Sequence, residues 1–418
     1  MLTWRVMKLT SYLALTGVLA ACAADTQTQP EASEAAPAAT GFVHRAGADV
    51  IGNDGAVVTL EGVDLGGWLI WEGWLLGGEI TLNQLDNADR HVYSALTSVV
   101  GSSATNAFQE AFRDAYVTEA DIAHIAALGM NSVRVPFDST LLASDDHPYT
   151  YLATGWKRLD DIVAWGSAHH VYVILDMHSV PGGQCNLFVD DPGPTEVWAS
   201  ASEQTRTVQM WRAIAARYAT QRWIAGYDLM NEPCGVADSQ LEALDARIVA
   251  AIREVDPNHM VVVEGNDNAT TFTAFPQLLD PNELYSAHIY TTSAATRAAD
   301  LSSWTAFVRA QDAPLWIGEF GESSASTIAA TVQAFVDPQY QVNGWALWTY
   351  KRAPDANPTV ETVTIPAAWR TTMLWVTAPL THARPTAAQV STGMSQYLAA
   401  VPTSRCSEDD GLVEIITP

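Results

Sequence analysis

Two glutamates close apolar runs that lie far apart in the chain. Glu232 ends Gly226-Tyr-Asp-Leu-Met-Asn-Glu-Pro233, and Glu319 sits in Pro314-Leu-Trp-Ile-Gly-Glu-Phe-Gly-Glu322. Paired carboxyls suit polar bond cleavage: one protonates a leaving oxygen while the other stabilises or attacks the carbon it leaves. Similar runs end in other polar or aromatic residues: Arg134 in NSVRVPF, His178 in VILDMHS, Asn231 beside Glu232, His288 and Tyr290 in YSAHIY, and Trp348 in GWALWTY. Each alone has an ordinary reading. His178 could be a satisfied core histidine, Arg134 could pair with any acid, Trp348 could be core, and Asn-Glu-Pro could be a strand entering a turn. Their joint placement at the ends of six apolar runs is what calls for a common cause.

The runs themselves supply the frame. Strands are predicted at Val57–Val63, Ser132–Pro136, Val171–Met177, Ile224–Met230, Met260–Val263, Leu284–Ile289, Leu315–Ile317 and Gly344–Trp348. Amphipathic helices are predicted between them, at Glu119–Leu128, Trp156–His169, Ser202–Ala219, Gln240–Val255 and Thr327–Val336, with a last one at Thr386–Leu398. Thr118-Glu-Ala-Asp121 reads as an N-cap with acids in the first turn. Continuously apolar strands alternating with helices indicate a parallel sheet buried on both faces. Eight such units are the number that closes an α/β (β/α)8 TIM barrel, whose C-terminal strand ends share one catalytic mouth. An open doubly wound sheet is the alternative, but no Gly-x-Gly-x-x-Gly follows the first strand. A short hairpin around Asn53-Asp54-Gly55 precedes the barrel. The long connection 64–117 is expected to build part of the cleft.

The chain has 418 residues, 48% of them apolar, enough for a large single core. Its 21 basic and 47 acidic residues give a formal charge of −26, which disfavours nucleic acid and anionic membranes as partners and suits a neutral substrate. Fifteen tryptophans point weakly to carbohydrate. Arg5 and Lys8 precede an apolar run, Leu9 to Ala21, shorter than a spanning helix. Leu19-Ala-Ala-Cys22 resembles a bacterial lipobox, implying a signal peptide at 1–21 and a lipid on Cys22. An exported lipoprotein at the cell surface or in the periplasm is expected; simple secretion is the alternative. Residues 22–40 read as a disordered tether, 41–403 as the catalytic domain and 404–418 as a tail. Cys185, Cys234 and Cys406 match no zinc spacing. The loops after the third and fourth strands carry Cys185 and Cys234 to the same side of a barrel mouth, and an exported chain can join them. Free thiols, or a bond to Cys406, are the alternatives.

Taken in order, Arg134, His178, Asn231, Glu232, His288, Tyr290, Glu319 and Trp348 resemble the functional set of glycoside hydrolase family 5, retaining (β/α)-barrel glycosidases. The resemblance covers roughly residues 50–350. GVDLGGWLIWEGW (62–74), which contains Glu72, and LDMHSVPGGQCN (175–186) look like its exo-acting β-1,3-glucanase branch. In that branch Asn is common where Asp64 stands, and Gly-x-Gln-Asn-Gly where this chain has Gly183-Gln-Cys-Asn186. The resemblance makes Glu232 the acid/base, Glu319 the nucleophile and the others, with Glu72, substrate-binding or supporting groups. It implies no cofactor and no metal in the site.

The residue chemistry fits. Arg134 can keep Glu319 ionised and Tyr290 can donate to it. Glu232, facing an ionised carboxylate in a partly dry cleft, is expected to have a raised pKa and start protonated. Asn231 can bind the sugar 2-hydroxyl, and Trp348 can floor the site. The expected substrate is a neutral β-1,3 or β-1,6 glucan. An endo-β-1,4-glucanase or mannanase is the alternative, and a non-catalytic glycan-binding lipoprotein a remote one. No Gly-x-Ser-x-Gly elbow supports an acyl hydrolase. The adjacent His169-His170 pair reads as a helix end rather than a metal site.

Overall fold

The computed structural model describes residues 41–417. The signal and tether segments, with Cys22, lie outside them. A hairpin of β1 (His44–Ala46) and β2 (Asp49–Ile51) comes first. Eight parallel strands follow: β3 (Leu60–Asp64), β4 (Ser132–Asp138), β5 (Tyr172–Ser179), β6 (Ile224–Asp228), β7 (Met260–Glu264), β8 (Glu283–Ile289), β9 (Leu315–Gly321) and β10 (Gly344–Trp348). They pair in chain order, and β10 closes onto β3. The fold is a (β/α)8 barrel, as the alternation of apolar runs and helices requires.

The helical ring follows the amphipathic segments. Helix Glu119–Ala127 begins where Thr118 donates its backbone N–H to Asp121 at 2.8 Å. Helix Ala153–His169 ends with His170 in the left-handed conformation at φ 59°, so the histidine pair does terminate a helix. Between β7 and β8 the connection makes a tight turn at Asn266–Ala269 in which Asp267, Asn268 and Ala269 are left-handed, with φ of 52°, 61° and 56°. The long connection after β3 holds two helices, Asp89–Val100 and Ser102–Tyr116, that sequence periodicity did not reveal. Helices Ala294–Gln311 and Ala367–Thr377 were likewise unforeseen. Among the described residues no helix is long and apolar enough to cross a membrane.

Both ends of the described chain pack onto the barrel. The expected hairpin is present: β2 folds back on β1 across Gly47, and the chain reverses again around Asn53-Asp54-Gly55, where Ile51 bridges Val57 antiparallel and the Gly52 N–H donates to the Ala56 carbonyl at 2.7 Å. The C-terminal tail from 404 onward lies against the barrel. After β11 (Lys351–Arg352) and β12 (Glu361–Thr362), β13 (Ser407–Glu408) pairs antiparallel with β12. Helix Asp410–Ile416 then buries Leu412 and Ile416. Those two apolar residues, spaced by one helical turn, bring the segment back to the core.

Alternation along the strands divides the barrel interior into a dry floor and a charged upper layer. At the strand starts Leu60, Ile174, Met260, Leu284 and Trp316 pack together, and Val43 and Val50 of the hairpin plug this floor. Two or four residues further along the same strands come Asp64, Asp176, His178, Glu264 and His288, all buried. The C-terminal strand ends therefore hold the ionisable groups.

Candidate active site

Arg134 organises the mouth. It is fully buried on β4, and burial opposes its charge, yet surrounding carboxylates hold its pKa above the ordinary guanidinium value. Its Nε donates to Asp228 at 2.8 Å; its Nη atoms lie 3.2 Å from Asp64, 2.6 Å from Glu319, 2.9 Å from Glu264 and 3.1 Å from Asp176. Nη2 also donates to Asn231 Oδ1 at 2.8 Å. A planar fork with five N–H donors is the side chain able to meet so many oxygens at once.

Glu319 is oriented from two sides. Arg134 holds Oε1, and Tyr290 donates its hydroxyl to Oε2 at 2.7 Å. Tyr290 is 45% exposed, but desolvation of its hydroxyl end and the two glutamates push the phenol above its ordinary pKa, which keeps it a donor. Gly318 leaves room for this packing, because a Cβ there would lie 2.3 Å from Ser286 Oγ and 2.9 Å from His288 Nε2.

Glu232 lies beyond the end of β6 with φ 45°, in the left-handed region that non-glycine residues seldom occupy. Its N–H donates to Glu264 Oε2 at 2.6 Å, its Oε1 meets His288 Nδ1 at 2.8 Å, and Asn268 Nδ2 lies 3.5 Å from its Oε2. His288 also faces Glu264 at 3.3 Å and Glu319 at 3.6 Å. One oxygen of Glu232 and one of Glu319 lie within 4.8 Å of each other.

This geometry corrects the expected protonation. Burial opposes a charge on His288, but Glu264, Glu319 and Glu232 outweigh it and raise its pKa well above the usual imidazole value. Burial alone would keep Glu232 neutral; the hydrogen bond and charge of His288, helped by His178 and Arg134, outweigh that and lower its pKa. Glu232 and His288 titrate as a coupled pair in which the neighbouring charges favour carboxylate and imidazolium. The repulsion expected from Glu319 is outweighed by the imidazole of His288, which sits between the two carboxyls.

The remaining residues line the cleft. His178 bonds Asp176 through Nδ1 at 2.7 Å and stacks on Trp348, the ring centres 5.3 Å apart and the planes 9° from parallel. Burial lowers the His178 pKa to about 4, so the ring is neutral at ordinary pH. A hollow of about 450 Å³ is lined by Glu72, Trp74, His178, Asn231, Glu319 and Trp348, among others. A second, of about 380 Å³, is lined by Asn268, Thr270, His288 and Thr291. Glu232 and Tyr290 border both. Among the described residues, Asn231 Nδ2 and Glu72 Oε1 are buried with no protein hydrogen-bond partner. Burial raises Glu72 to a pKa of about 8, so its carboxyl is neutral near pH 7.

The loops that carry these groups are cross-braced. Cys185 and Cys234 are joined as a disulfide with Cα atoms 5.5 Å apart, while Cys406 is free. Gln184 donates to the carbonyls of His178 at 2.8 Å and Asn231 at 2.7 Å, tying the ends of β5 and β6. Sequence reasoning singled out neither Gln184 nor the inner acids Glu264, Asp228 and Asp176. Glu264 carried a signal, since Met260–Glu264 ends an apolar run in a carboxylate just as Glu232 and Glu319 do.

The family model described as Cellulase (glycosyl hydrolase family 5) matches residues 93–352, well over half of the chain. The chain belongs to glycosyl hydrolase family 5. This family 5 chain is 31% identical to a beta-xylosidase of Phanerodontia chrysosporium over 253 residues, 60% of this chain and 52% of that protein. It is 30% identical to endoglucanase C of Acetivibrio thermocellus over 186 residues, 44% of this chain and 53% of the relative. A probable glucan 1,3-beta-glucosidase A of Neosartorya fischeri is 30% identical over 211 residues, 48% and 49% of the two chains. The chain thus spans about half the length of the curated relatives it matches. Among solved structures, an endogalactoceramidase superposes with TM-score 0.54 at 21% identity over 75% of each chain. The catalytic domain of a Thermobifida fusca endoglucanase gives 0.50 at 15% identity, over 85% of this chain and 98% of the other. These two likenesses concern the fold.

Proposed function

We propose that the domain is a retaining β-glycosidase acting on β-glucans, of the glucosidase type cleaving β-1,3 or β-1,6 linkages. The observation that carries the retaining mechanism is the separation of Glu232 and Glu319, whose nearest oxygens lie within 4.8 Å. Carboxyl groups about 5–5.5 Å apart suit double displacement, whereas inversion needs about 6.5–9.5 Å to admit a water between them. Glu319 attacks the anomeric carbon as the bond to the leaving oxygen breaks, and Glu232 delivers a proton to that oxygen. Water then takes the leaving group's place, gives a proton to Glu232 and releases Glu319.

His288 Nδ1, 2.8 Å from Glu232 Oε1, can pass to Glu232 the proton that Glu232 delivers to the leaving oxygen. Once Glu319 becomes an ester it no longer stabilises the imidazolium, so the charge balance of the group changes with each half of the cycle. The sugar being attacked belongs in the hollow that contains Glu319, over Trp348. The leaving group belongs in the hollow beyond Glu232, beside Asn268. Asn231 Nδ2 is free to hold the 2-hydroxyl, and Glu72 Oε1 a second hydroxyl.

Support for the substrate comes from the GVDLGGWL and PGGQ segments and from the probable glucan 1,3-beta-glucosidase relative. The endoglucanase relative keeps the endo-β-1,4 reading open as the second choice. The test is hydrolysis of laminarin, lichenan, carboxymethylcellulose, mannan and aryl β-glucosides, with NMR of the first-formed anomer. Activity confined to cellulose or mannan would overturn the linkage assignment, and an inverted first product would overturn the mechanism. We further propose export, with a lipid on Cys22, on the strength of the Leu19–Cys22 motif. Radiolabelled fatty acid should enter the wild type and not Cys22→Ser.

A further inference from the structure

We infer that the chain carries a divalent transition-metal site remote from the cleft, formed by His124, Glu361 and Glu408. Glu361 and Glu408 are register partners across the β12–β13 pair, so two carboxylates stand directly opposite each other. Like charges in that position repel unless a cation lies between them. Lys351, the register partner of Glu361 on β11, favours the charged form of Glu361 but makes no ion pair with it. Lys351 Nζ is committed to Asp121, at 2.5 Å, and to the Tyr116 carbonyl and Thr403 hydroxyl, at 2.7 and 2.8 Å.

What faces the two glutamates is His124, on helix Glu119–Ala127. Its Nε2 lies 2.6 Å from Glu408 Oε2 and 3.4 Å from Glu361 Oε1. Despite those distances Nε2 makes no hydrogen bond among the described residues, because neither oxygen lies along its N–H direction. Glu361 is 3% exposed, and its Oε2 is buried without a partner. One donor atom from each of the three residues falls within 4.8 Å of the others. Ligands on a tetrahedral zinc, with bonds of about 2.0–2.1 Å, sit about 3.3 Å apart. The nitrogen and the Glu361 oxygen already have that spacing, whereas the nitrogen and the Glu408 oxygen, 2.6 Å apart, must open by about 0.7 Å to admit the ion. An imidazole with two carboxylates selects zinc or a neighbouring first-row ion over calcium or magnesium. Such an ion would relieve the opposed charges, complete the buried carboxylate and fasten β13, and with it the last helix, to the barrel wall.

The test uses the full chain, stripped with chelator and titrated calorimetrically with zinc, manganese or calcium chloride. The active-site trio of Glu232, His288 and Glu319 has its donor atoms equally close, so Glu232→Gln serves as a control for binding there. The expected result is one equivalent of zinc that survives Glu232→Gln and weakens at least about tenfold in His124→Gln and in Glu408→Gln. Zinc should raise the melting midpoint of the wild type and leave that of Glu408→Gln unmoved. Glu408 is partly exposed, so this variant should fold, and matching melts of the two stripped proteins would establish it. Equal zinc binding in wild type and Glu408→Gln, or no binding outside the active site, would overturn the assignment. The latter result would mean that His124 alone bridges the glutamates. Calcium bound as tightly as zinc would overturn the choice of ion.

Discussion

Glu319 and Glu232 make separable demands on a substrate. Glu319→Ala should lower kcat at least about 10³-fold on every substrate, with azide giving a glycosyl azide of inverted configuration. Glu232→Ala should lose about 10²–10⁴-fold on poor leaving groups and much less on dinitrophenyl glycosides, which need no proton. A retained glycosyl azide from Glu319→Ala would mean the two roles are exchanged. Glu72 offers a pH test whose sign is fixed. Burial lifts its carboxyl from 4.5 to about 8 in the folded chain. Between those values the unfolded chain loses a proton that the folded chain keeps, so the contribution of Glu72 to stability is full below about pH 4.5 and declines toward pH 8. Glu72→Gln should flatten that decline, gaining up to a few kcal/mol at pH 8 and little at pH 4. Urea unfolding at the two pH values measures it; equal gains at both would show that Glu72 ionises normally.

At the scale of elements, the loops after β5 and β6 place Glu232, and two cross-links hold them. The disulfide closes a loop with a sequence separation of 49, worth roughly 4 kcal/mol in the chain-entropy estimate. Cys185→Ser with Cys234→Ser should therefore lower the unfolding free energy by about 2–4 kcal/mol and reduce kcat more than it raises KM. Unchanged kcat would show that Gln184 suffices to hold the loops. The C-terminal helix is the other test, since Leu412 is wholly buried. Leu412→Ala should cost about 2–5 kcal/mol, where a detached tail would cost nothing. Both elements show how much the sequence could disclose. The barrel strands were legible because burial on both faces writes unbroken runs of Val, Ile and Leu. Helices such as Ala294–Gln311 were not, because Ala, Ser and Thr positions blur the contrast between their two faces. The pairing of β12 with β13 joins residues 361 and 408, and no local pattern announces a contact at that separation. The site was legible where a polar residue ended a run, as at Glu232, Glu319 and Arg134. Its proton was not, because that depends on distances among groups from four strands.

The whole molecule carries a formal charge of −26, which should shape kinetics without touching the chemistry. A neutral oligosaccharide should show kcat/KM nearly independent of salt. A carboxymethylated glucan should react more slowly at low ionic strength and recover as salt screens the repulsion. A fall with salt for the acidic substrate would point to a local basic track along the cleft. The β1–β2 hairpin has a practical consequence of another kind. Because it seals the floor of the barrel with Val43 and Val50, residue 41 joins the domain at the pole opposite the catalytic mouth. A bead, a scaffold protein or a fluorescent reporter grafted there would leave the approach of a long, stiff polymer open, whereas the same graft on a βα loop would stand in its way.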